Sequence, residues 1–187
     1  MSFPGIPSLD AAVMAFIQTH FHNTVTDTVF PIITSLGEAG VGWIVLSLVL
    51  LCFKKTRRTG GLVLIAMTVT LLFGELTLKN IICRLRPCNV FTNFPMLIAR
   101  PTSYSFPSGH TSSSFAAALI LTLRHKKVGW LAYIPAVLIA FSRIFLFVHY
   151  PTDVLAGILL GTLAALLPYF AAKAIQKRQA EKRTAQI

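Results

Sequence analysis

The sequence predicts an all-α fold: an integral membrane helical bundle of five clear transmembrane helices plus an N-terminal amphipathic helix or sixth span. Three observations carry it. Hydrophobic residues make up 55% of the 187 positions and charged residues only 12%, about half the charged share of a soluble domain. Charge is scarce where hydrocarbon is the solvent. The apolar residues fall in five runs that approach the ~20 residues a bilayer crossing needs. The basic residues gather in the connections on one side of those runs, as they do on the cytoplasmic side of membrane proteins.

The first run covers residues 41–53 and needs the preceding residues 32–40 to reach full length. The second covers 61–82, the third starts after His110 and ends near 123, the fourth covers 128–148 and the fifth 154–172. Ahead of them, residues 11–21 put apolar side chains at helical spacing, but Gln18, His20, His22 and Asp27 interrupt or closely follow. Residues 1–31 therefore read as an interfacial amphipathic segment or part of a sixth span. No Lys or Arg precedes Lys54, so the basic start of a secretory signal is missing. The whole chain, 1–187, reads as one domain. Residues 86–109 form its longest connection, with Pro87, Pro95, Pro101 and Pro107 opposing helix formation. A loop of that length is commonly functional. Cys52, Cys83 and Cys88 lack zinc-site or disulfide-framework spacing and read as free thiols.

The net charge of +11 admits nucleic acid or an anionic lipid surface as partner. Position decides. Lys54, Lys55, Arg57 and Arg58 follow the first span; Arg124, Lys126 and Lys127 follow the third; Lys173, Lys177, Arg178, Lys182 and Arg183 lie in a basic tail at 173–187. Span parity puts these twelve on one side, which the positive-inside rule assigns to the cytoplasm together with the C-terminus. They serve topology and membrane lipids, and no nucleic-acid partner is expected. Lys79, Arg84, Arg86, Arg100 and Arg143 fall at the opposite, external ends of the spans. Charges at a membrane edge that oppose the topology bias point to a functional site.

Three short motifs meet on that external face. In Lys79-Asn-Ile-Ile-Cys-Arg-Leu-Arg86-Pro87, the two cations stand seven apart. On a helix closed by Pro87 they would share one face, two turns apart. Alone, they would favour snorkelling to headgroups over the binding of an anion. In Pro107-Ser108-Gly109-His110, Ser108 suits an N-cap and Gly109 admits close backbone approach, at a helix terminus that favours phosphate. His110 sits in the first turn. In Ser142-Arg143-x5-His149-x3-Asp153, Pro151 breaks the chain and Thr152 or Asp153 suits the cap of the fifth span. Asp153 could also accept a hydrogen bond from one His149 nitrogen, leaving the other free to attack. Three cations, a helix N-terminus and two histidines suit phosphoryl transfer, with one imidazole attacking and the other protonating the leaving oxygen. The motifs hold one carboxylate, Asp153, so metal-based hydrolysis is not expected. Glu38 has no partner at metal-ligand spacing, and Glu75 lies deeper in a span.

The motifs Lys-x6-Arg-Pro, Pro-Ser-Gly-His and Ser-Arg-x5-His-x3-Asp, in this order between Lys79 and Asp153, resemble the signature of the type-2 phosphatidic acid phosphatase family. The resemblance implies a metal-independent, cofactor-free membrane phosphatase acting on a lipid phosphate or diphosphate. By it, His149 is the nucleophile that becomes phosphorylated, Asp153 orients it, and His110 is the general acid. Lys79, Arg86 and Arg143 bind phosphate oxygens, with Ser108 and Gly109 contributing donors. Arg84 and Arg100 lie outside the motifs and read as headgroup contacts. An external site suits recycling of a polyprenyl carrier, so undecaprenyl diphosphate is the first substrate choice, followed by phosphatidylglycerol phosphate or phosphatidic acid. Two remoter readings are a vanadate-dependent haloperoxidase-like oxidoreductase, whose relatives are soluble, and a lipid binder or transporter, which needs no paired histidines.

Overall fold

In the computed structural model, which describes residues 3–184, the chain forms α-helices, short 3-10 turns and a π-helical segment, with no strand among the described residues. Helix α1 (Ser8–His20) turns Met14 and Ile17 inward and leaves Leu9 and Phe16 exposed, the expected amphipathic pattern. With 13 residues it is too short to span a bilayer by itself. Helix α2 (Thr24–Leu36) starts where the Asn23 side chain accepts the Val25 and Thr26 N–H groups, and Thr26 reaches back to the Asn23 N–H. This reciprocal cap fixes the helix start. Pro31 lies inside α2, so the segment boundary expected at residue 31 is replaced by a continuous helix. The expected first span is itself two helices. A bend of 42° at Glu38–Gly40 separates α2 from α3 (Val41–Cys52), with Gly40 at φ +69°. Gly40 admits a left-handed backbone turn there that hydropathy does not register, and Ala39 beside it stands at φ +47°.

The second span is one rod built of α4 (Arg57–Thr70), a π-helical segment (Leu71–Leu78) and α5 (Lys79–Ile82). It ends at Cys83, which adopts φ +50°. Lys79 and Arg86 therefore do not share a helix face. Pro87 does not close that helix but opens α6 (Pro87–Val90), since its fixed φ and missing N–H suit the first helical position. Helix α7 (Gly109–Arg124) matches the third span. Helix α8 (Tyr133–Phe145) stops short of residue 148, and the turn after it holds Phe147 at φ +59°. Helix α9 (Pro151–Thr184) continues through Pro168 and through the stretch expected as a tail. Residues 185–187 of that tail lie outside the described residues.

Helix α7 is the centre of the bundle. It buries Thr111 to Ser114 and Ala116 to Ala118. Against it α9 sets Gly157 and Gly161, one turn apart. A Cβ at Gly157 would stand 2.8 Å from the Ser108 carbonyl oxygen, and one at Gly161 would collide with the Ser112 carbonyl. Small residues at this spacing let two helix backbones approach closely, which is how helices pack where lipid weakens the hydrophobic drive. Trp43 of α3 donates to Ser114 Oγ at 2.9 Å, satisfying its buried N–H.

Leu155, Leu159, Leu163 and Leu167 form an exposed stripe along α9. Arg57–Val90 and Pro151–Thr184 are long and apolar enough to cross a bilayer, and the bent pair Thr24–Leu36 and Glu38–Cys52 makes up to a third crossing. Gly129–Phe145 is a shorter apolar helix. The chain is an all-helical membrane protein.

Candidate active site

Lys79, Arg86, Gly109, His110, Arg143 and His149 line one cavity of about 1040 Å³. Five structural devices bring them there. The π-helical segment delivers the first: the Lys79 N–H reaches back to the Gly74 carbonyl, five residues away. Such wide turns reorient side chains at functional sites. Lys79 Nζ meets Glu75 Oε2 at 2.7 Å on the same wall. Arg86, in the extended stretch before α6, is held by the Ser103 carbonyl at 2.7 Å and the Val148 carbonyl at 2.9 Å. Gly109 opens α7, and a Cβ there would meet the Glu75 carboxylate, so any larger residue would have to displace that side chain. His110 follows it. Arg143, on the last turn of α8, donates to Thr34 Oγ1 at 2.5 Å. Its Nε is buried with no hydrogen-bond partner, as is Nε2 of His110, which stands 3.5 Å from Glu38 Oε2. Buried polar atoms are rarely left unpaired without a functional reason.

His149 sits in the turn between α8 and α9. Its Nε2 accepts from Arg86 Nη1 at 2.9 Å. That assigns the proton to Nδ1, since an arginine only donates. Nδ1 lies 3.4 Å from Ser105 Oγ and 3.5 Å from Asp153 Oδ2. Ser105 Oγ in turn donates to Asp153 Oδ2. The direct Asp153–His149 hydrogen bond expected from the motif is thus replaced by a carboxylate and a hydroxyl acting together. Burial first, then the cations Arg86, Arg143 and Lys79, hold the His149 imidazole well below its ordinary value of 6.5. A neutral ring with its lone pair on Nε2 is the nucleophilic form.

Ser108 and Asp153 lie behind the cavity wall, both fully buried. Ser108 takes the N-cap position of α7, but its side chain caps no backbone N–H and instead accepts from Thr111 Oγ1 at 2.9 Å. Asp153 accepts the Tyr150 N–H at 2.9 Å, so it also fixes the start of α9.

The model of the PAP2 superfamily matches residues 59–177. The chain belongs to this superfamily. An undecaprenyl-diphosphatase from Sulfolobus acidocaldarius is 39% identical over 126 residues, 67% of this chain and 61% of that protein. The chain thus spans less than two thirds of that relative's length. The undecaprenyl-diphosphatase BcrC of Bacillus subtilis is 31% identical over 155 residues, 78% of this chain and 75% of the relative. The crystal structure of a PAP2-type phosphatidylglycerolphosphate phosphatase from Bacillus subtilis superposes with a TM-score of 0.73 at 29% identity, covering 92% of this chain and 89% of its own.

Around the PAP2 motifs, the structure adds residues that the motifs do not contain. Ser105 is one, and nothing in the proline-rich loop marks it. Glu38 and Glu75 are two more, so the cavity holds carboxylates besides the Asp153 behind it. Among the described residues, no three His, Cys, Asp or Glu side chains cluster as metal ligands. Neither arginine expected at headgroups stands free. Arg100 folds the loop onto itself, donating to the carbonyls of Cys88, Thr92 and Phe94. Arg84 is bound to Asp10 and Asp153.

Proposed function

We propose that this PAP2 protein is a metal-independent lipid phosphatase that works through a phosphohistidine at His149, with undecaprenyl diphosphate as its substrate. One observation carries the reading: His149 Nε2 points its lone pair towards Arg86 in the cavity shared with His110, while Nδ1 is backed by Ser105 and Asp153. The wider cavity supports a lipid. Pro31, Ile44, Leu64, Met67 and Leu71, from α2, α3, α4 and the π-helical segment, give it apolar lining that suits an isoprenoid or acyl chain.

In the proposed cycle, Lys79, Arg86 and Arg143 hold the oxygens of the terminal phosphate, with the amide of Gly109 at the α7 terminus. The Ser108 N–H expected beside it instead donates to the Asp153 carbonyl at 3.1 Å. Arg86 passes from Nε2 to a phosphate oxygen as the substrate seats. Nε2 attacks phosphorus in line, forming the N–P bond. The P–O bond to the leaving group breaks and its electron pair stays on the leaving oxygen. His110, whose pKa burial and then Arg143 hold down to about 2 in the free protein, takes up a proton with the anionic substrate and supplies it to that oxygen. His110 then takes a proton from water, which attacks phosphorus. The N–P bond breaks with its electron pair returning to Nε2, orthophosphate leaves and neutral His149 returns.

The reading also assigns five transmembrane spans within one domain, with α1 at the interface and the loop at 86–109 outside. It sets the site on the external face and the basic end of α9 in the cytoplasm. The named activities of the Sulfolobus and Bacillus relatives support the diphosphate substrate. Phosphatidylglycerol phosphate is the second reading, favoured by the superposed Bacillus phosphatase. Phosphate release by purified protein across polyprenyl, glycerophospholipid and lipid A substrates tests both, with His149→Ala as control. Fastest release from undecaprenyl diphosphate is expected. Preference for a glycerophospholipid selects the second reading, and equal release by wild type and His149→Ala removes the nucleophile assignment.

A further inference from the structure

The PAP2 motifs explain six charged or histidine side chains at the site but leave out Arg84, whose surroundings are unlike those of a headgroup contact. Its guanidinium lies between two carboxylates that are both fully buried. Nη2 meets Asp10 Oδ2 at 2.8 Å and Nη1 meets Asp153 Oδ1 at 2.6 Å. Nη1 also donates to Thr152 Oγ1 at 2.8 Å, and the group stacks 3.8 Å from the Tyr150 ring centroid. Asp10 closes the circuit by accepting the Thr152 N–H at 2.9 Å and the Thr152 hydroxyl at 2.7 Å. Asp10 belongs to α1, outside the stretch that matches the PAP2 superfamily.

We propose that Arg84 is a positioning residue for the His149–Asp153 pair, and that Asp10 of the N-terminal helix holds it in place. The proposal rests on the reading of His149 as nucleophile. A carboxylate free to rotate can offer either oxygen to its neighbours. Here Arg84 occupies Oδ1, so Oδ2 alone faces Ser105, the Tyr150 N–H and His149 Nδ1. That division fixes which His149 nitrogen carries the proton and aims the other at phosphorus. The rigid, always-charged fork of arginine suits a site where two carboxylates must be bridged at fixed angles. Arg84 does not line the cavity and is bonded instead to Asp153 behind its wall, so it is not placed to grip phosphate. Its loss therefore acts on the attack step and spares substrate binding. Asp10 acts one step further out: it holds the second arm of the fork and ties α1 to the first turn of α9.

The test compares purified Arg84→Ala, Arg84→Lys, Asp10→Asn and His149→Ala. For Arg84→Ala the rate of phosphohistidine formation should fall about 100-fold, while KM and inhibition by orthophosphate stay near wild type. Added guanidinium should restore part of the lost rate, and tetramethylammonium should not. Arg84→Lys should recover less than wild type because it lacks the fork. Asp10→Asn should show a smaller loss of the same kind. Unchanged kcat in Arg84→Ala overturns the proposal. So does a loss that lies in KM and orthophosphate binding, or one that guanidinium leaves untouched, since those mark a fold-wide staple. Wild-type rate in Asp10→Asn overturns the role of α1. Retained turnover in His149→Ala instead breaks the underlying reading, whatever Arg84 does.

Discussion

His149 meets a cation at Nε2 and a hydroxyl with a carboxylate at Nδ1, so its two nitrogens live in opposite fields. A sign for pH dependence follows. Burial, then Arg86, Arg143 and Lys79, oppose imidazolium formation. As pH falls through the ordinary histidine range, the free enzyme keeps His149 neutral. The acid limb of kcat/KM that reports nucleophile protonation should lie well below 6.5. A limb at the ordinary value would mean that the ring is solvated in the working enzyme. Arg143 offers a second prediction. One arm is committed to Thr34, and its Nε is unpaired. Arg143→Lys keeps the charge but loses the fork, and should lower kcat/KM by about 10- to 100-fold. Near-normal kinetics would make Arg143 a structural residue. The motifs made the cavity-lining cations and both histidines legible because their spacing is set by local chain geometry. Ser105, Glu38, Glu75 and the Arg84 pairing were not legible. Each depends on a contact between segments distant in sequence, or on a helix bend that composition does not encode.

Helices α7 and α9 hold the motif-bearing segments in register, through Gly157 and Gly161. Gly161→Leu should force the backbones apart at the Ser112 carbonyl, a penalty of about 1–3 kcal/mol or more. Thermal denaturation in detergent should show a clearly lower midpoint, and an unchanged midpoint would mean that the crossing tolerates separation. The turn that presents His149 is held differently. Phe147 stands at φ +59°, a rare state for a bulky residue, and stacks on Phe94 with centroids 3.9 Å apart. The long loop at 86–109 thereby packs against the nucleophile turn. At this scale the apolar runs did mark where helices form. Their ends were hidden: Cys83 stops the second rod before Pro87, and α9 outruns its apolar stretch because its charged residues are good helix formers with an i,i+4 pair between Lys177 and Glu181.

The whole molecule has a charge asymmetry that native thiols can test. Cys52 and Cys83 are exposed, whereas Cys88 is buried. The proposed topology sets Cys83 outside and Cys52 at the cytoplasmic end of α3. A membrane-impermeant maleimide applied to intact cells should label a Cys52→Ser variant through Cys83 and leave a Cys83→Ser variant unlabelled. The reverse pattern would invert the protein and move the site inside. The membrane-bundle class was legible in bulk composition, because lipid solvation constrains every span alike. The broken first span was not, because hydropathy averages over the bend at Glu38–Gly40.

The central claim is a covalent bond between phosphorus and His149 Nε2. Rapid quenching of wild-type protein with substrate labelled in the terminal phosphate, followed by peptide mapping, tests it most directly. The account predicts an acid-labile, base-stable phosphoramidate on the peptide containing His149, formed at least as fast as steady-state turnover and lacking in His149→Ala. Full turnover with no labelled protein, or label on another residue, would contradict it.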